Sequence, residues 1–128
     1  MSSHRNAAVW IDHQEARVFH VDPAGFDSAK IEAPQHHLHR HPKPTAEHAH
    51  PDDQHKFFRE VARSLDDAEK VLVVGPSTAK MQFLKYVHMH DPKLEPKVVG
   101  IETVDHPTDG QLVAHIKRYF DVGPPRAR

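Results

Sequence analysis

A single α/β domain is the fold class this sequence predicts: a mixed five-stranded sheet, with a three-strand antiparallel meander followed by a βαβ half, flanked by helices. Three observations carry that prediction. Lys70 to Lys80 opens with four consecutive apolar residues, Val71 to Val74, three of them β-branched, followed by Gly75-Pro76 and then Ser77-Thr78 ahead of a helical stripe. An unbroken apolar run describes a strand covered on both faces and central in its sheet, because a half-exposed strand alternates with polar residues. Three short strand-like runs precede it, parted by turn residues, and segments of helical periodicity lie on either side. A length of 128 residues suits one domain with one core.

The elements follow in order. Ala7 to Ile11 reads as an inner strand, which Asp12, His13 and Gln14 break into a hairpin. Glu15 to Val21 sets Val18, Phe19 and Val21 among polar residues, as a strand with one wet face does. Asp22 to Gly25 turns the chain, and Ser28 to Ala33 is the third and weakest strand. Residues 34–51 hold four prolines and six histidines but only one large aliphatic residue, Leu38, so they form a long loop or extended edge with little to give a core. Asp52 or Asp53 caps the next helix, in which Phe57, Phe58, Val61, Ala62 and Leu65 recur at helical spacing. Ser77 or Thr78 caps a helix running to His90, with Ala79, Phe83, Leu84 and Val87 inward, and Asp91-Pro92 closes it. Lys97 to Val104 reads as a strand parallel to Val71–Val74, reached by a right-handed crossover. Thr108 and Gln111 stand as a capping box before the stripe Leu112, Val113, Ile116, Tyr119 and Phe120. The core thus spans about residues 7 to 121 of one domain.

Composition narrows the function classes. Lys and Arg number 17 against 18 Asp and Glu, so no global basic field advertises a nucleic-acid partner and no acidic tail repels one, and no sequence-reading DNA partner is expected. The 14 histidines make the chain cationic under mild acid, since an unperturbed imidazole titrates near about 6.5. The absence of cysteine excludes disulfides, thiol catalysis and cysteine-bound metal. No apolar run approaches the roughly 18 residues of a membrane span, and Met1 to Asn6 does not read as a signal peptide, so a cytoplasmic protein without membrane partners is expected.

The strand and helix order is similar to the ribonuclease H-like layout. More specifically, the run Ala8-Val9-Trp10-Ile11-Asp12-His13-Gln14-Glu15-Ala16-Arg17-Val18-Phe19 and the run Val73-Val74-Gly75-Pro76-Ser77-Thr78-Ala79-Lys80 resemble the middle domain of archaeal and eukaryotic class I peptide-chain release factors and of Pelota. Val104 to Gln111 is also similar to the small bacterial relatives of that domain, generally labelled translational machinery proteins. The resemblance implies a translation-associated protein that contacts the ribosome or tRNA. Release factors of this kind hydrolyse peptidyl-tRNA with a Gly-Gly-Gln motif between the third strand and the first helix. This sequence has no Gly-Gly-Gln, and its Gly110-Gln111 pair opens the last helix, so the resemblance does not carry the hydrolytic activity over. Pelota's middle domain implies that ribosome binding survives without that motif.

The candidate sites each have a competing structural explanation. His36, His37, His39, Arg40, His41 and Lys43 occupy the position of the catalytic loop and are the expected contact to ribosomal RNA or tRNA; His48, His50 and His55 continue the enrichment. If extended, His37, His39 and His41 project from one face at about 6–7 Å intervals, a spacing that suits zinc or another transition metal, with Glu47, Asp52 or Asp53 adding oxygen ligands. A metal-binding module is therefore the alternative function, and a solvated low-complexity loop the plain reading. Ser77, Thr78 and Lys80 form an expected anion site at a helix start, against ordinary capping. A metal-dependent RNA hydrolase using Asp12 and Glu60 is the second alternative, although the strand ending in Gly75-Pro76 lacks the acid such a site needs, and Asp12 suits a turn. A Ser77-His106-Asp105 triad can be drawn, but Gly-x-Ser-x-Gly is absent. No catalytic residue is assigned, and no resident cofactor is expected.

Overall fold

The computed structural model describes residues 6–22, 25–33 and 51–120, with only the backbone of 51–53 included. Strands β1 (Asn6–Ile11), β2 (Glu15–Asp22) and β3 (Gly25–Glu32) are followed by helix α1 (Pro51–Ser64). Strand β4 (Lys70–Gly75), helix α2 (Ala79–His90), a single 3-10 turn (Glu95–Lys97), strand β5 (Val98–Thr103) and helix α3 (Asp109–Phe120) complete the order. The sheet runs β3-β2-β1-β4-β5, with β1–β2 and β2–β3 antiparallel and β1–β4 and β4–β5 parallel. The meander and the βαβ half are thus as the sequence predicts. One placement differs: β1, not β4, takes the middle of the five. Val71 to Val74 lie one strand off centre, yet with β5 along their outer edge and helices over both faces they are fully buried.

Two hydrophobic layers fill the two faces. Ala7, Val9, Ile11, Ala16, Val18, Val71 and Val73 point to one side, where Phe57, Phe58, Val61, Phe83 and Val87 of α1 and α2 cover them. Ala8, Trp10, Phe19, Val21, Leu72 and Val74 point to the other, under Leu112, Val113 and Ile116 of α3. This alternation fixes register, because a one-residue slip would carry every inward side chain to the wrong layer.

Several ends depart from expectation for local reasons. Strand β3 begins at Gly25 rather than Ser28, its ladder with β2 extending to the Asp22↔Gly25 pair, where the Gly25 amide also donates to Asp22 Oδ1 at 3.0 Å. Helix α1 starts at Pro51, a residue pre-set for the first helical position, so Asp52 and Asp53 fall inside the first turn and neither is the cap. Thr78 is the N-cap of α2 by position, but its side chain makes no capping bond; its carbonyl accepts from the Met81 and Gln82 amides instead, each at 3.0 Å. The α3 box forms as expected: Thr108 N–H donates to Gln111 Oε1 at 3.0 Å and Gln111 N–H to Thr108 Oγ1 at 3.1 Å. Edge strand β5 leaves Val99 and Ile101 nearly half exposed, at 46% and 47%, and Tyr119 lies outside the core with its hydroxyl on the Val99 carbonyl at 3.2 Å. The Val71/Leu72 register shift against β5 accounts for Val99, an extra residue without a partner on β4.

Candidate functional site

The carboxyl ends of β1, β4 and β5 come together at one rim, the place where parallel α/β sheets gather ligand-binding groups. Asp12 ends β1 and turns the chain: its Oδ1 accepts from the Gln14 amide at 2.8 Å and the Glu15 amide at 2.9 Å. The turn reading of Asp12 therefore holds. Strand β4 ends with Gly75 because a Cβ there would collide with the Ile11 carbonyl oxygen on β1. Beyond β5, Val104 N–H donates to the Gly75 carbonyl at 3.0 Å and starts the loop to α3.

That loop is buckled to β1 and β2 by side chains far away in sequence. Trp10, only 1% exposed, donates its indole N–H to the Asp105 carbonyl at 2.8 Å. Arg17, opposite Trp10 in the β1–β2 ladder, lays its guanidinium over the indole with Cζ 4.6 Å from the ring centre. The same guanidinium donates to the Pro107 carbonyl at 3.1 Å and Asp109 Oδ1 at 3.0 Å, and its Nε to Glu15 Oε2 at 3.3 Å. His106 meets the Trp10 edge at 5.1 Å between ring centres and sits between two carboxylates, 2.9 Å from Asp105 Oδ1 and 3.7 Å from Asp12 Oδ2. Val104, Asp105, His106, Pro107, Gln111, Leu112 and His115 line an open cleft of about 380 Å³ beside this buckle, and His115 Nε2 pairs with Glu102 Oε1 at 2.6 Å on α3 and β5.

The sequence-predicted residues fall into three groups. His36, His37, His39, Arg40, His41 and Lys43, with the metal trio His37, His39 and His41, lie outside the described residues. Ser77, Thr78 and Lys80 are brought together at the start of α2, where Lys80 is 7% exposed and its Nζ donates to the Ser77 carbonyl at 2.8 Å. Its ammonium faces the backbone of its own turn. His106 and Asp105 are joined as the drawn triad requires, but among the described residues no contact links them to Ser77. Glu60 is exposed on α1, and among the described residues no group of three or more His, Asp or Glu side chains converges as a metal site. His88, at the end of α2, has a carboxylate of its own, Glu95, at 3.0 Å. The Trp10-Arg17-His106 constellation was missed because its partners stand some 90 positions apart, and the capping box at Thr108 is the only local mark of where that loop ends.

The fold that carries this site is shared with solved structures of translation factors. The structure is similar to Pelota from Archaeoglobus fulgidus, with 18% identity and a TM-score of 0.61 over 88% of this chain and 30% of that one. It is also similar to the archaeal translation termination factor aRF1, with 16% identity and a TM-score of 0.64 over 91% of this chain and 34% of that one. Dom34 of S. cerevisiae, described as a translation termination-like factor involved in RNA quality control pathways and interacting with Hbs1, matches at 12% identity and a TM-score of 0.55 over 88% of this chain and 32% of that one. The chain spans about a third of the length of these proteins, and at such identities the likeness establishes the fold. No family model and no curated protein matches the sequence. Among the described residues no helix is long and apolar enough to cross a membrane.

Proposed function

We propose that this chain is a translation-associated protein that contacts the ribosome or tRNA and does not hydrolyse peptidyl-tRNA. One observation carries the reading: a fold shared with the archaeal translation termination factor aRF1, matched over 91% of this chain, in a sequence without Gly-Gly-Gln. The segment between β3 and α1, which in release factors carries the catalytic motif, here carries His36, His37, His39, Arg40, His41 and Lys43. Arg40 and Lys43 supply fixed positive charge for phosphate contacts, and the imidazoles add hydrogen-bond donors and, when protonated, further charge.

Co-sedimentation with ribosomes over a salt series tests it. The chain is expected to pellet with ribosomes at about 50 mM salt and to leave them as salt rises toward 200 mM, because each released phosphate contact steepens the salt dependence. Replacing His36, His37, His39, Arg40, His41 and Lys43 with serine is expected to flatten that dependence and weaken pelleting at least about tenfold. A chain that stays in the supernatant at low salt overturns the reading, and a serine-replaced chain that pellets like the parent overturns the loop as its contact.

A further inference from the structure

Six of the seven histidines among the described residues fall into two kinds. His20, His88, His106 and His115 each face a carboxylate, from Asp67 at 3.8 Å, Glu95 at 3.0 Å, Asp105 at 2.9 Å and Glu102 at 2.6 Å. His55, in the second turn of α1, and His90, the last residue of α2, face each other, with ring centres 5.1 Å apart and planes inclined at 59°. Both are exposed, and among the described residues neither has a hydrogen-bond or ion-pair partner.

We propose that His55 and His90 form a two-imidazole site for a divalent transition-metal ion of the Zn²⁺, Ni²⁺ or Cu²⁺ type, with water completing the coordination. The separation fits the chemistry. With a Zn–N bond of about 2.0–2.1 Å and about 1.2 Å more from nitrogen to ring centre, two imidazoles at a tetrahedral angle put their centres about 5.2 Å apart. The pair is also held in place. Tyr86, one turn before His90 on α2, packs against both rings, at 5.5 Å from His55 and 4.8 Å from His90, and is backed by Phe58 at 5.8 Å. Phe58 in turn meets Phe83 at 5.7 Å in the core, so the platform beneath the two imidazoles is continuous with packed side chains. Ligand identity selects the metal: two imidazole nitrogen donors suit borderline transition ions, whereas Mg²⁺ and Ca²⁺ require oxygen ligands. A bound ion would tie α1 to the last turn of α2, two elements that share the layer over β1 and β4. The site is independent of the ribosome contact proposed above and uses none of its residues.

The test removes the competing histidines while keeping the full chain. In a background with His36, His37, His39, His41, His48 and His50 replaced by serine, calorimetric titration with Zn²⁺ is expected to give one equivalent with a Kd below about 100 µM. His55→Ala and His90→Ala, each added to that background, should weaken binding at least tenfold, whereas His13→Ala, in the β1–β2 turn, should leave it unchanged. Cu²⁺ electron paramagnetic resonance should report two coordinated imidazole nitrogens in the background chain and one in either variant. Zn²⁺ should raise the thermal midpoint of the background chain and not that of His90→Ala, since only a ligand of the folded state stabilises it. Absence of binding up to about 1 mM Zn²⁺, or binding that survives both single substitutions, overturns the proposal.

Discussion

Gly75→Ala is expected to destabilise the domain by about 3 kcal/mol, the upper end of what overpacking a core does. The added Cβ would lie inside contact distance of the Ile11 carbonyl oxygen, 3.3 Å from the Ile11 carbonyl carbon and 3.5 Å from its nitrogen. All three atoms are main chain of β1, which is held by β2 on one side and β4 on the other, so no side-chain rotation relieves the clash. The end of β4 must move away, and that also stretches the 3.0 Å bond from Val104 N–H to the Gly75 carbonyl, a contribution of about 0.5–1.5 kcal/mol. Urea unfolding followed by far-ultraviolet circular dichroism measures the loss. With a slope of about 1–3 kcal/mol per molar urea, the midpoint should fall by about 1 M or more. Gly25→Ala is the control, because nothing lies within 4 Å of a Cβ built there, and its effect should stay within about 0.5 kcal/mol. A Gly75→Ala midpoint indistinguishable from that of Gly25→Ala would refute the close approach of β1 and β4 and, with it, the reason given for a glycine at this strand end.

Three further outcomes follow from the same packing. Thr108→Ala removes the side-chain half of the α3 capping box and should lower stability by about 0.5–2 kcal/mol in the same urea assay. Leu72→Ala, at a fully buried position under α3, should cost about 2–5 kcal/mol by leaving a cavity between β4 and the helix. Trp10→Phe keeps most of the buried apolar surface but removes the donor to the Asp105 carbonyl; a loss of about 1–3 kcal/mol and faster amide exchange in residues 104–108 are expected by hydrogen-exchange mass spectrometry.

What the sequence makes legible, and what it hides, follows from how far each cause acts. Val71 to Val74, the Thr108–Gln111 box and the Asp12 turn are readable because the residues that decide them are neighbours, and each takes the role its local pattern predicts. The misplaced centre of the sheet has the opposite cause: an apolar run reports burial on both faces, which any interior strand has, and says nothing about how many strands lie on each side. Val99 and Ile101 mark a strand in the sequence, as they do in the structure, but not its place in the sheet: an edge strand with a register shift leaves them half exposed. The Thr78 side chain makes no cap because its backbone is already helical, at φ −81° and ψ −10°, rather than in the extended geometry of a capping residue. The pairing of Arg17 with the Pro107 carbonyl, and of Trp10 with Asp105, is invisible to any window of sequence, since only the folded ladder of β1 and β2 places those side chains beside the β5–α3 loop.

The rim at the carboxyl ends of β1, β4 and β5 is tied together by hydrogen bonds between segments far apart in sequence. Here the Asp12 Oδ1 is taken up by two amides, the Trp10 N–H by a carbonyl, the Arg17 fork by Glu15, Pro107 and Asp109, and His115 by Glu102. Such a buckle fixes the β5–α3 loop, and through it α3, against the central strand. On the described residues to either side of 34–50, Ala33 N–H donates to the Gln14 carbonyl at 2.8 Å, and Phe57 and Phe58 of α1 are buried. The two regions are therefore separable by experiment: Trp10→Phe should lower stability while leaving the salt dependence of ribosome pelleting alone, and serine replacement of His36 to Lys43 should do the reverse. A Trp10→Phe chain that loses ribosomes while still folded would move the contact to the rim and assign the 380 Å³ cleft to the partner.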